Sequence, residues 1–256
     1  MIDARAIADR LIEAEDSRSA ISPFTRANPF LSLETAYAAQ TLFYGRRLTA
    51  GERLVGRKLG LTSRVKQLAL GIDSPVYGHL TSGMIVPFGE PPRLETLISP
   101  KVEPELAFLM GRELGDHAGL AEVLAAVEAV MPALEIVDSR YRTSFRLVDS
   151  VADNAGAARV VLGAQSRPPR ELTDLKLLGC VFRHPRGLDT ATGGAVMGHP
   201  LAAIGWLARQ LADRGECIRP GEVIMSGGLT SAVPLPANRT VRAEFDGLGS
   251  VEVRAS

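Results

Sequence analysis

Cysteine is scarce in this sequence. Cys180 and Cys217 lie far apart and match neither a metal-ligand spacing nor a dense disulfide framework, so both read as ordinary thiols in a reducing compartment. Net charge is missing as well: 29 basic residues balance 29 acidic ones, and no overall field draws the chain to nucleic acid or to an anionic membrane. No apolar run approaches the length of a membrane span. The opening stretch MIDARAIADRLIEAEDS has the charges of an amphipathic helix and lacks the apolar centre of a signal peptide. These absences predict a soluble, cytoplasmic protein that recognises a small molecule through a local site. No Walker motif, GxSxG elbow or HExxH pair is present. GGAVMG (193–198) lacks the order of a dinucleotide fingerprint.

What is present is a large apolar fraction, 46% of residues, enough for a substantial core. Apolar spacing predicts helices over 3–16 and 33–48, joined by a proline-bearing loop. Alternation predicts a strand over 53–61, then a short helix over 63–70 and a loop rich in Gly, Pro and Asp to about Gly89. Another strand contains Glu103, a helix is expected over 119–130, and Pro132 is expected to end that pattern just before a strand containing Glu135. Residues 148–158 read as irregular. Short strands follow from 160 to 183, then a helix over 199–215 and strands at 222–225, 240–245 and 250–254. Helices at the front and strands with inserted helices behind make this α+β rather than a doubly wound parallel sheet. Residues 1–50 form an N-terminal helical region and 51–256 the catalytic part.

The chemistry begins in SPKVEPELAF (99–108), which sets Glu103 and Glu105 two residues apart in an extended run. A strand's side chains alternate, so both carboxylates share one face. An exposed polar strand face would read the same way, but Glu135 lies in a second apolar run, ALEIV (133–137), where a lone buried carboxylate is costly. A salt bridge from Glu135 or Asp138 to Arg140 is one reading of that run. The other is a three-carboxylate site for a hard divalent ion such as Mg²⁺ or Mn²⁺. Lys58, in an apolar strand between Gly56 and Gly60, is either a snorkelling edge residue or a group that holds a substrate carboxylate or moves a proton. SGGLTS (226–231) reads as a plain turn or as a backbone anion site. Asp153 and Asn154 either serve function or satisfy turn backbone. His184 and His199 read as structural.

Taken in order, GRKLGLTSRVKQ (56–67), SPVYGHLTSGM (74–84), KVEPELAF (101–108), PALEIVDSRY (132–141), DSVADNAG (149–156), VMGHP (196–200) and SGGLT (226–230) span nearly the whole chain. Together they resemble the hydratase/decarboxylase branch of the fumarylacetoacetate hydrolase superfamily, most closely its decarboxylases of 2-oxo-3-hexenedioate. The resemblance implies a fumarylacetoacetase-like mixed β-roll, a homo-oligomer, association with a sister pathway enzyme, and a role in breakdown of aromatic compounds. It implies Mg²⁺ or Mn²⁺ held by Glu103, Glu105 and Glu135, Lys58 and Glu105 in catalysis, and Thr230 with Gly228 against a substrate carboxylate. Arg64, Gln67 and Asp153 are the further substrate-binding candidates, and Arg64, Lys66 and Arg140 are those for a second carboxylate. The implied reaction is decarboxylation of a short unsaturated 2-oxo dicarboxylate through a dienolate. Hydration of 2-hydroxypenta-2,4-dienoate is the alternative, and a non-catalytic scaffold subunit is another. Hydrolysis of an acylpyruvate would need a base, for which His79 is the candidate. Many relatives carry an acid where this chain has Ser82, a departure that bears on proton transfer.

Overall fold

The structure, a computed structural model, describes residues 2–70, 72, 74–115, 118–172 and 174–254, with the side chains of Lys66, Ala69 and Leu70 outside it. Helix α1 (Ala4–Ser17) starts where Asp3 Oδ1 accepts the Ala6 N–H at 2.8 Å, and α2 (Leu33–Thr49) starts where Ser32 Oγ accepts the Thr35 N–H at 3.1 Å. Both are ordinary side-chain N-caps. The apolar stripes Ile7, Leu11, Ala14 and Ala36, Tyr37, Phe43 are buried. No helix among the described residues is long and apolar enough to cross a membrane.

The chain then runs through β1 (Leu54–Gly60), α3 (Arg64–Leu70), β2 (Val76–Thr81), β3 (Lys101–Met110), α4 (Leu120–Ala126), β4 (Val127–Val137), α5 (Leu147–Ala152) and β5 (Ala157–Leu162). It continues through β6 (Gly179–His184), β7 (Gly187–Thr192), α6 (Pro200–Ala212), β8 (Val223–Met225), β9 (Val233–Pro234), β10 (Thr240–Phe245) and β11 (Gly249–Arg254). The main sheet has the order β2-β1-β8-β3-β4-β5, with β9 added beside β3, and β11-β10-β6-β7 form a second sheet. After β2 the chain returns to the far edge, where Ile85 bridges Val160 and the Val86 N–H donates to the Val160 carbonyl at 2.9 Å. The main sheet is thereby rolled up on itself, the mixed β-roll of an α+β chain.

Register decides which residues look into the roll. Lys58 pairs with Gly78 on β2 and with Met225 on β8, and Met225 pairs with Ala107 on β3. Paired residues share a face, and period two adds Glu105 and Glu103 to it. Glu135 joins them as the partner of Glu103. The inner face is floored by a small buried cluster that includes Leu80, Ala107, Ala133, Val160 and Met225. The opposite face, with Val102, Leu106, Phe108, Leu134 and Ile136, belongs to one larger core that also takes in Ile7, Phe43 and Leu207 from the helices.

Several local expectations are corrected. The helix expected over 119–130 stops at Ala126, and β4 begins at Val127 and runs through Pro132. Pairing along the whole of β3 outweighs the local helical spacing. Pro132 is tolerated because its partner Leu106 turns its backbone toward β8, accepting the Ser226 N–H at 3.1 Å, so no β3–β4 hydrogen bond is lost there. The segment 76–81 is a strand, not loop; all six residues are buried, which hides the alternation. Residues 147–152 form the helix α5, which overlaps the start of the stretch expected to be irregular over 148–158, and β7 follows the 185–186 turn.

Candidate metal and active site

Three carboxylates and one ammonium meet on the inner face of the roll. One carboxylate oxygen from each of Glu103, Glu105 and Glu135 lies within 4.8 Å of the others. Glu105 and Glu135 are fully buried, and Glu103 is half-buried. Lys58 Nζ stands 3.0 Å from Glu135 Oε2 and 3.0 Å from the Ala155 carbonyl oxygen. In a flat sheet the three strand spacings from β1 to β4 would total about 14 Å, so this ion pair depends on the curl.

The electrostatics are unbalanced. Burial pushes the Glu105 carboxyl well above the usual carboxylate range, and Glu135 and Glu103 push it further, against Lys58 and the Gly227 N–H, which donates to Glu105 Oε2 at 2.8 Å. Glu135 is raised by burial too, with Lys58 opposing. Burial works against the Lys58 ammonium, but Glu135, with Glu105 and Glu103, carries its pKa above the ordinary lysine value. Three carboxylates against one ammonium leave two formal negative charges. Glu105 Oε1 and Glu135 Oε1 have no hydrogen-bond partner among the described residues. A hard oxygen set with orphaned buried atoms and this charge deficit fits a divalent cation such as Mg²⁺. Gly228 keeps the site open: a Cβ there would lie 2.1 Å from Glu103 Oε2.

The cluster opens on a cavity of about 1080 Å³ whose walls include Lys58, Glu103, Gly228 and Asp153. Among the described residues, its remaining cationic wall residues are Lys101, Arg142 and Arg146, all exposed. The 142–146 segment carries no motif that sequence reading could seize. It is placed by its ends, where the Arg142 N–H donates to the Ile21 carbonyl at 3.0 Å and the Arg146 N–H to Asp149 Oδ2 at 3.0 Å.

Other sequence candidates lie elsewhere. Asp153 lines the cavity, but Arg140 Nε holds its Oδ1 and the Arg140 N–H its Oδ2 at 3.0 Å. Burial lifts the Asp153 pKa to about 6 against the pull of Arg140. Arg140 is thus committed to Asp153 and is not free for a second substrate carboxylate. Gln67 donates to the Leu61 carbonyl at 2.7 Å, exposed Arg64 reaches Gln67 Oε1 at 3.4 Å, and Thr230 Oγ1 donates to the Ser231 carbonyl at 3.3 Å. These three stand beside the wall rather than in it, where Leu61, Thr62, Ser63, Ser231 and Ala232 are the lining residues. The Lys66 side chain and His117 lie outside the described residues. Ser82 sits at the far end of β2, where its Oγ accepts the Arg53 N–H at 3.1 Å.

His79 is not brought to the carboxylates. It pairs with Arg57, one residue from Lys58, and so faces the other side of β1 and β2. There it stacks on Tyr44 with ring centroids 3.9 Å apart. His199 N-caps α6, its Nδ1 accepting the Leu201 N–H at 3.2 Å, and His184 approaches Asp189 at 3.3 Å.

Residues 73–255 match the family described as fumarylacetoacetate (FAA) hydrolase C-terminal. The chain belongs to this family. Among relatives in the fumarylacetoacetate hydrolase family, a 2-keto-4-pentenoate hydratase of Paraburkholderia xenovorans (strain LB400) is 41% identical over 247 residues, covering 95% of this chain and 91% of the relative. A 4-oxalocrotonate decarboxylase of a Pseudomonas species is 39% identical over 247 residues, covering 96% and 95%. The solved structure of 4-oxalocrotonate decarboxylase from Pseudomonas putida G7, complexed with magnesium and adipate, superposes with a TM-score of 0.94 at 36% identity, covering 99% of this chain and 97% of that one.

Proposed function

We propose that this chain is a divalent-metal-dependent carbon–carbon lyase that decarboxylates a short unsaturated 2-oxo dicarboxylate of the 2-oxo-3-hexenedioate type. The observation that carries the reading is the convergence of Glu103, Glu105 and Glu135 with Lys58 at the wall of one cavity, in a chain similar to both decarboxylases and hydratases of 2-oxo acids. Mg²⁺ or Mn²⁺ is the metal, and residues 51–256 carry its ligands. A homo-oligomer working beside a sister pathway enzyme in the cytoplasm, as in aromatic-compound breakdown, completes the reading.

The three glutamates would hold the cation, which would supply Lewis acidity to a bound 2-oxo acid. An ammonium has three N–H donors. Glu135 and the Ala155 carbonyl take two from Lys58, and the third serves the substrate, holding its 2-oxo carboxylate or delivering the proton that the dienolate takes up after CO₂ leaves. The Gly227–Gly228 turn presents backbone toward the same space, with Thr230 behind it. Lys101, Arg142 and Arg146 at the exposed wall receive the second carboxylate. A loose hold is what decarboxylation needs, because gripping the departing carboxylate as tightly in the ground state as in the transition state gives no acceleration.

Hydration of 2-hydroxypenta-2,4-dienoate is the second reading, favoured by the 41% identity to a hydratase. Its substrate has one carboxylate and leaves the cationic wall without a partner. An ultraviolet assay with Mg²⁺ or Mn²⁺, offering 2-oxo-3-hexenedioate and 2-hydroxypenta-2,4-dienoate separately to the wild type and to Glu105→Gln, separates the readings. Metal-dependent CO₂ release lost in the variant is expected. Consumption of the dienoate alone makes the chain a hydratase, and silence on both removes the lyase reading.

A further inference from the structure

Asn154, Ala155 and Gly156 have φ of 51°, 51° and 71°. Three successive residues in the left-handed region are unusual, and for alanine the region is strained. Such strain persists only where its surroundings hold it in place, and it concentrates at functional sites. Here the holder is visible. Asn154 is fully buried, and its side-chain amide lies along the outer edge of β2, accepting the His79 N–H through Oδ1 at 2.7 Å and donating through Nδ2 to the His79 carbonyl at 2.9 Å. The amide takes the place of a neighbouring strand at that edge. Gly78 admits the turn, since a Cβ on it would lie 2.3 Å from the Asn154 carbonyl oxygen.

What the turn delivers is the Ala155 carbonyl, 3.0 Å from Lys58 Nζ. Lys58 is also attracted by Glu135, Glu105 and Glu103, and an ammonium free to move would settle among them, where a cation must bind. The carbonyl gives it a second, neutral anchor outside the triad. We propose that Asn154 is a positioning residue for Lys58: by clamping the turn to β2 it holds the Ala155 carbonyl where it fixes the ammonium beside the three carboxylates.

The kinetic consequence rests on the lyase reading, while the structural one does not, so the test has two arms. The chain has four lysines, Lys58, Lys66, Lys101 and Lys176, and selective ¹⁵N-lysine labelling of the Mg²⁺-loaded protein gives few ammonium signals, with Lys58→Met assigning that of Lys58. Two substitutions are compared. Asn154→Gly keeps the left-handed freedom, and Asn154→Asp keeps the shape while replacing the donor to the His79 carbonyl by an oxygen. Both are expected to speed exchange of the Lys58 ammonium with water at least tenfold. Both lower kcat by up to about 10²-fold with little change in KM, as misplacement of a reacting group does. In the Lys58→Met background the same substitutions should add nothing further to the loss of kcat.

An unchanged Lys58 exchange rate in a folded variant overturns the proposal, as does an equal loss of kcat with and without Lys58. If the wild type turns over neither substrate, the lyase reading falls and the exchange measurement alone decides. If the glycine variant does not fold, the isosteric aspartate variant carries both arms.

Discussion

Glu103 and Glu135 stand directly opposite each other across β3 and β4. Like charges at facing positions destabilise an antiparallel pair by roughly 0.2–1 kcal/mol even where solvent screens them. Here Glu135 is fully buried, and Glu105 adds a third carboxylate from the same face. Lys58 neutralises only part of this. These two strands are therefore frustrated at one level, and a divalent cation bound there relieves them.

That frustration sets an unusual expectation for Glu105→Gln. Burial and the neighbouring carboxylates already push the Glu105 carboxyl upward, and the glutamine oxygen can still accept the Gly227 N–H. Without divalent cation the variant should melt at or above the wild-type temperature. With cation the wild type should gain about 2.7 kcal/mol at a hundredfold excess over its Kd, and the variant little of it. Melting curves along a Mg²⁺ titration check both halves. A variant less stable without cation but equally stabilised by it contradicts this account of the site.

How much of this was legible beforehand follows from the physics of each signal. The shared face of Glu103 and Glu105 is a consequence of period two within one strand, and it reads directly. Glu135 stood out because a carboxylate in ALEIV is costly, yet its place opposite Glu103 depends on β3–β4 register, which no local pattern reports. Local helical spacing up to Val130 even argued against β4. The orientation of His79 turns on a single register step between β1 and β2, and a segment read as loop could not supply it. Arg140 looked available because its partner Asp153 approaches only through the fold. A backbone group such as the Ala155 carbonyl leaves no trace in residue types at all.

Gly228→Ala should disable the site without unfolding the protein. Its Cβ would fall 2.1 Å from Glu103 Oε2, so the carboxylate must swing away or the turn must lift. A swing takes Glu103 from the cation, and a lifted turn takes the Gly227 N–H from Glu105 Oε2, so either outcome disturbs the ligand set. The expected result is a loss of cation affinity of about tenfold or more, about 1.4 kcal/mol, measured by calorimetry or by Mn²⁺ paramagnetic resonance, with the circular dichroism spectrum retained. Undiminished affinity would show that the close approach of Gly228 to Glu103 does not shape the cation site.

Arg142→Gln tests which acid the cavity takes. An exposed arginine–carboxylate pair contributes roughly 0.2–1 kcal/mol, so kcat/KM for 2-oxo-3-hexenedioate should fall by up to about fivefold and recover part of the difference when salt screens the wild type. The monocarboxylate 2-hydroxypenta-2,4-dienoate should be handled equally by both proteins. An equal drop on both substrates would assign Arg142 to the first carboxylate or to the loop's shape.

His79 yields the last prediction, because its environment opposes charge. It is 3% exposed, with its ring stacked 3.9 Å from that of Tyr44. Burial, with Arg57 next to it, pushes its pKa down to about 3. In the unfolded chain a histidine titrates near about 6.5. Between these values the unfolded state takes up a proton that the folded state refuses, so the stability tied to neutral His79 is fully present above pH 6.5 and drains away as pH falls. At about 1.4 kcal/mol per pH unit the loss from pH 7 to pH 5 is about 2 kcal/mol. His79→Phe preserves an aromatic ring against Tyr44 and removes the titration. Denaturant unfolding of both proteins at pH 7, 6 and 5 should show the variant losing about 2 kcal/mol less on acidification. Because His79 faces away from Lys58 and the carboxylates, kcat should survive the substitution. A folded His79→Phe protein without activity would return that histidine to the reaction and reopen hydrolysis of an acylpyruvate.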